Sequence, residues 1–228
     1  MERTHSPLLV YGGSFDPVHN GHVAAFWLAA HLVGAGEARL LPCFLSPLKS
    51  QVFTSVEQRC ALLQLVVASL NQRPGPCRFS LDRREISIHA PSFTCETLAA
   101  LRREEGEQRP IIWLLGDDAW QQLSRWRAWP SLTEFAHLLI AQRPGCSAPL
   151  EPAQIAWAAA RTRPITQLGL SPCGGIAHMN NALLAIAASD IRQQISQGIR
   201  PVGLVPEAVE AQIYQQGLYL NSYQTDTL

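Results

Sequence analysis

The stretch Leu8-Leu9-Val10-Tyr11-Gly12-Gly13-Ser14-Phe15-Asp16-Pro17-Val18-His19-Asn20-Gly21-His22 decides how the rest of the chain is read. Its apolar opening, Leu8 to Tyr11, has the length and character of a short buried strand. Two glycines, a hydroxyl and a proline then interrupt it. From about Gly21 to Val33 apolar residues recur at helical spacing, through Val23, Phe26, Trp27, Ala30 and Leu32. Gly12 and Gly13 carry no Cβ, so the backbone there is expected to take unusual φ values and let an anion approach its N–H groups. Ser14 adds a hydroxyl donor. With the helix opening at Asn20 or Gly21, its free N–H groups and positive dipole end are expected to face the same anion. His19 and His22 reach one ligand from one face of the first turn. Imidazoles that donate hydrogen bonds suit phosphoryl or nucleotidyl transfer, where the protein positions reactants and stabilises charge on phosphate oxygens. The spacing alone leaves two alternatives open: a helix-capping turn with surface histidines, or a zinc pair with no evident third ligand.

The same order of elements repeats downstream. Arg39 to Leu45 reads as a second strand, and Thr54-Ser55-Val56-Glu57 as a capping box opening a helix from Arg59 to Leu70. Glu85 to Ile88 alternates like a strand, Thr94 to Arg103 reads as a helix, and Pro110 to Leu115 as a central strand running into Gly116-Asp117-Asp118. Ala136 to Ala141 and Ala182 to Ile186 are further strands, the latter before a helix from Ser189 to Gln197. Strands alternating with helices predict an α/β fold, Rossmann-like and doubly wound, with a mostly parallel sheet covered by helices on both faces. Ligands in such sheets sit beyond the carboxyl ends of the strands.

The 228 residues are read as a single domain, with a variable insertion around 148–176, where Ala, Pro, Arg and Gly are frequent. Eighteen basic and eighteen acidic residues cancel, so no global positive field favours nucleic acid or a membrane surface. The six cysteines show no C-x-x-C pair, which points to reduced thiols and a cytoplasmic protein without a metal cluster. No apolar window is long enough for a membrane span. Oligomeric state has no signature in the sequence.

The run Gly12 to His22 resembles the signature of the nucleotidyltransferase superfamily with the H-x-G-H motif, in the form used by nicotinate-mononucleotide adenylyltransferases. Pro91-Ser92-Phe93-Thr94-x-x-Thr97-Leu98 is similar to that family's A-P-S-Y-T-x-x-T-L segment, Leu114 to Asp118 to its I-I-G-x-D, Arg143-Pro144-Gly145 to its R-x-G turn, and Ile186 to Arg192 to its I-S-S-T-x-I-R. The resemblance implies AMP transfer from ATP to nicotinate mononucleotide, with Mg²⁺ bound alongside ATP, giving deamido-NAD and pyrophosphate. It implies ATP contacts at Gly12, Gly13, Ser14, Phe15, His19, His22, Ser189 and Arg192, with His19, His22, Lys49 and Arg192 acting on the reacting phosphates. Asp16 and Pro17 are expected to shape the loop, and Ser189 to cap its helix. For the nicotinate nucleotide it implies Thr94, Asp118, Trp126 and Arg143. Leu48, Arg127, Ala187 and Ala188 depart from the family pattern. Two alternatives stay open: transfer to another phosphate acceptor, such as nicotinamide mononucleotide or pantetheine phosphate, and a nucleotide-binding regulator without turnover.

Overall fold

The structure is a computed structural model and describes residues 5–45, 47–48, 51–142, 150–179 and 186–220. Six strands, β1 (Leu8–Gly13), β2 (Glu37–Pro42), β3 (Arg78–Leu81), β4 (Ile111–Gly116), β5 (His137–Ala141) and β6 (Ile176–Met179), form one sheet in the order β3-β2-β1-β4-β5-β6. All five pairings are parallel. This is the doubly wound Rossmann order, in which the chain reverses direction across the sheet between β1 and β4. A crevice opens beyond the carboxyl ends of strands at that reversal.

Side chains alternate across the sheet and feed two cores. Leu9 and Tyr11 join one with Phe26 and Ala29 of α1 (Asn20–Val33), Leu62 and Leu63 of α2 (Val56–Asn71), Ile191 of α8 (Ala188–Ser196) and Ile213 of α9 (Glu207–Gln215). Leu8 and Val10 join the other, with Trp113 of β4, Leu98 and Leu101 of α4 (Thr94–Glu105), Trp120 of α5 (Asp117–Gln121), Leu132 of α6 (Leu132–Phe135) and Ala158 of α7 (Pro152–Ala159). Helices therefore cover both faces, as the apolar runs in the strands require.

Three local expectations are corrected. Glu85 to Ile88 is not a strand: Arg84–Ser87 forms a single helical turn, α3, and the edge strand is the earlier Arg78–Leu81, paired with β2. Four alternating residues cannot separate a period of two from one helical turn. Here Asp82 Oδ1 accepts from the Arg84 N–H and starts the turn, while Ile88 is left 69% exposed. The capping box of α2 lies one residue later than expected. Ser55 and Gln58 bond reciprocally, because the Thr54 hydroxyl is taken by the Asp16 carboxylate at 2.6 Å. Ser189 is not the cap of α8; Ala187 holds that position, with no side-chain cap. Of the strand expected at Ala182 to Ile186, residues 182–185 lie outside the described residues.

Candidate active site

Two adjoining chambers occupy the crevice and share Gly12, Gly13, Ser14, Leu48, Ala119 and Trp126 as a common wall. The first, about 420 Å³, is lined by His19, His22, Asp118, Ser189 and Arg192, together with Phe15 and Asp16. The second, about 360 Å³, is lined by Cys43, Glu85, Ser92, Phe93, Thr94, Trp113, Arg125 and Arg127.

The two histidines cap their own helix. Nδ1 of His19 accepts from the His22 N–H, Nδ1 of His22 accepts from the His19 N–H, each at 3.3 Å, and the rings stack with centroids 3.6 Å apart. With both Nδ1 lone pairs engaged by backbone donors, the ring proton of each neutral imidazole sits on Nε2. The capping turn and the ligand-facing pair, alternatives at the level of spacing, are one arrangement. Two of the amides expected to be free at this helix end are taken. The His22 N–H is consumed by His19, and the Asn20 N–H donates to the Leu204 carbonyl at 2.8 Å. The N-terminus of α8 differs: Ala187, Ala188 and Ser189 line the first chamber and Ala187 has no side chain that could cap them, so this helix end turns its dipole toward the chamber.

Arg192 reaches across from α8. Nη1 donates to the Asp16 carbonyl at 2.6 Å, the guanidinium lies 4.1 Å from the centre of the Phe53 ring, and the buried Nε finds no partner among the described residues. The Asp16 carboxylate accepts from the Phe53 N–H at 2.8 Å, the Thr54 hydroxyl at 2.6 Å and the Tyr219 hydroxyl at 2.9 Å. It acts as the loop's internal anchor. Burial, with the Asp16 charge beside it, pushes the Tyr219 phenol far above its ordinary range, so it remains a donor.

The family model described as cytidylyltransferase-like matches residues 10–196. The chain belongs to the cytidylyltransferase-like family. It is 36% identical over 217 residues to a protein of Yersinia pestis strain Pestoides F named "Probable nicotinate-nucleotide adenylyltransferase", covering 94% of this chain and 96% of that one. A protein of the same name from Sodalis glossinidius is 38% identical over 211 residues, with 92% and 95% of the two chains covered. Among solved structures, the fold is similar to Plasmodium falciparum nicotinic acid mononucleotide adenylyltransferase complexed with APC. That likeness has a TM-score of 0.70 at 15% identity and covers 94% of this chain and 98% of that one. The same Plasmodium enzyme complexed with NaAD matches at a TM-score of 0.69 and 16% identity, covering 94% and 98%.

Against this family's fold, the structure brings Gly12, Gly13, Ser14, Phe15, His19, His22, Ser189 and Arg192 to one chamber and Thr94 to the other, with Trp126 lining both. Asp118 lines the histidine chamber, not the one holding Thr94. Lys49 and Arg143 lie outside the described residues. The φ expected of the glycines is corrected. Neither Gly12 nor Gly13 has a positive φ; a Cβ on Gly12 would stand 2.3 Å from Cζ2 of Trp113, so that position is kept bare by the indole beside it. The unusual φ belongs to Phe15, at +50°, buried against Tyr11 and His22.

Sequence reasoning passed over several residues. Glu85 is a buried carboxyl in the wall of the second chamber that accepts from Thr97 Oγ1 at 2.6 Å; burial above all raises its proton affinity. Its position in a presumed strand hid it. Arg59, on α2, is 1% exposed and bonds the carbonyls of Ser14, Cys43 and Phe44. A lone arginine inside an apolar helical run was the available signal.

Proposed function

We propose that this chain is a nicotinate-nucleotide adenylyltransferase, working in NAD biosynthesis. The observation that carries the reading is the pair of chambers meeting at Gly12 to Ser14: one lined by two imidazoles, Arg192 and a helix N-terminus, beside one walled by aromatic and polar groups. ATP occupies the first with its phosphates against the imidazoles, Arg192 and the uncapped end of α8. Nicotinate mononucleotide occupies the second, its ring against Trp126 and Thr94, with Asp118 reaching it from the first chamber and Arg143, which follows β5 in the sequence, contributing to its recognition. The 5′-phosphate oxygen of the mononucleotide forms a bond to the α-phosphorus of ATP as the bond from that phosphorus to the α,β-bridging oxygen breaks. Deamido-NAD and pyrophosphate result.

No protein nucleophile enters this balance. Nε2–H groups of His19 and His22 donate to phosphate oxygens where negative charge builds, and Arg192 offers a planar fork to the same group. Ser189, Phe15 and Lys49 complete the triphosphate contacts in this reading. Holding both reactants in line across the shared wall supplies much of the acceleration.

Mg²⁺ is part of the proposal. Among the described residues no group of three or more His, Cys, Asp or Glu side chains could hold a metal ion. Asp16, whose carboxylate holds three donors, and Asp118 are the carboxylates that line the first chamber. That donor set fits an ion carried in by the triphosphate and coordinated mostly by phosphate oxygens and water. Bound there, the ion neutralises charge on the departing pyrophosphate.

The proposal treats residues 1–228 as one nucleotidyltransferase domain with an embellishment around 148–176. It is supported by Ala158 and Leu168, which pack into the two cores on opposite faces of the sheet. No helix among the described residues is long and apolar enough to cross a membrane. We place the protein in the cytoplasm, with small molecules and not nucleic acid as its partners.

The deciding experiment measures pyrophosphate release from ATP with nicotinate mononucleotide, nicotinamide mononucleotide and pantetheine phosphate, with and without Mg²⁺. The expected order puts nicotinate mononucleotide first, with release falling sharply on chelation. Faster release with another acceptor assigns the chain to that reaction instead. Binding of ATP and the pyridine nucleotide with no release makes it a regulator.

A further inference from the structure

We infer that Arg59 is a positioning residue for the triphosphate, acting through the Ser14–Phe15 peptide and not by touching substrate. The inference rests on the reading of the first chamber as the ATP site. Arg59 is the largest fully buried side chain among the described residues, and its guanidinium lies against the carbonyls of the common wall. Nη1 donates to the carbonyls of Ser14 and Cys43, both at 2.8 Å, and Nη2 donates to the Phe44 carbonyl at 3.1 Å. No carboxylate among the described residues forms an ion pair with it. A buried cation held only by carbonyl dipoles is costly unless an anion comes near.

The peptide geometry says how the charge is used. The Ser14–Phe15 bond is trans, so the carbonyl that turns toward Arg59 obliges the Phe15 N–H to point the opposite way. Ser14 and Phe15 line the first chamber, and the positive φ of Phe15 fits a peptide turned in this sense. A cation on the carbonyl side polarises the peptide and strengthens the N–H as a donor. This matters because the Asn20 and His22 amides, which a helix end would ordinarily offer, are already bonded within the protein. Arg59 also ties the loop after β1 to Cys43 and Phe44 after β2, and Cys43 lines the second chamber. The Cys43 and Phe44 carbonyls thus fix the fork from the β2 side, and the fork in turn fixes the Ser14 carbonyl.

Lysine retains the charge but lacks the planar fork, so Arg59→Lys isolates positioning from simple electrostatics. The expected result is a folded variant melting within about 5 °C of the parent. Its kcat/KM for ATP falls about 10–10²-fold, as for a misplacement near 1 Å, while the KM for nicotinate mononucleotide moves less than about twofold. Unchanged ATP kinetics, or equal losses for both substrates in step with the melting temperature, overturn the inference. Calorimetric titration with a non-hydrolysable ATP analogue, run on parent and variant without any acceptor, decides Arg59 independently of which acceptor is used. Should the lysine variant not fold, the ¹⁵N-labelled parent supplies the answer. The Phe15 amide proton is expected to move downfield when the analogue is added, and an unmoved Phe15 resonance rejects the role.

Discussion

The two chambers share a wall but are built in opposite ways. The histidine chamber draws its largest share of lining from one continuous stretch, Tyr11 to His22, completed by the segment Gly116 to Trp126, by Leu48 and by the late helix end at Ala187 to Arg192. The chamber beside it takes Cys43, Glu85, Phe93, Trp113 and Arg125 from separate segments that only the sheet and its crossovers bring together. A contiguous loop keeps its geometry through local hydrogen bonds, such as the reciprocal histidine cap. A composite wall keeps its geometry through packing. Changes in the first chamber should therefore strike chemistry while sparing the fold, whereas changes in the second should mix binding with stability.

The sharpest way to break this contrast is His22→Ala. Loss of one preorganised donor to the phosphates is expected to lower kcat about 10²–10³-fold with the melting curve little altered. A fully active His22→Ala enzyme in a pyrophosphate-release assay removes the imidazoles from the mechanism. Gly12→Ala tests the shared wall. Its new Cβ meets the buried Trp113 ring, so a loss of about 1–3 kcal/mol in denaturant stability is expected. A shift below a few tenths means that the indole has room to move. Trp126→Ala should raise the KM for the nicotinate nucleotide roughly 3- to 10-fold, more than that for ATP. If the ATP value rises more, the two occupants have been placed the wrong way round.

The smallest effect concerns Glu85, whose carboxyl is held above its ordinary range chiefly by burial, partly offset by the Thr97 hydroxyl. A folded-state value above the unfolded one means that its contribution is fully present below the ordinary carboxyl range. It is lost as pH rises from that range through the raised value. Glu85→Gln keeps an acceptor for Thr97 and has no proton to lose. Melting temperatures across a pH series should show the variant gaining on the parent over that window. Parallel curves show that Glu85 titrates normally.

How much of this was legible from the chain depends on sequence distance. The strand, loop and helix around Gly12 to His22 were readable, as were β4 and β5, because strong apolar runs end at glycine or charged residues. The edge strand β3 was missed because the alternation of Arg78-Phe79-Ser80-Leu81 runs for only four residues, and the segment gains its place by pairing with β2. The cap of α2 was misplaced by one residue because a distant carboxylate, Asp16, competes for Thr54. Likewise, Gly12 is bare on account of a tryptophan a hundred residues away in sequence and one strand away in space.

From residue order came the α/β class, the anion-binding loop and the histidine pair, since spacing along a strand or helical turn follows from backbone geometry. Folding alone settled which amides remain open to a phosphate, why Gly12 must stay small, and that Arg59 sits behind the loop. Those properties depend on which groups meet after the sheet closes. A buried charge or a spent donor is defined by its neighbours, and those neighbours are assembled by burial of apolar faces distant from one another along the chain.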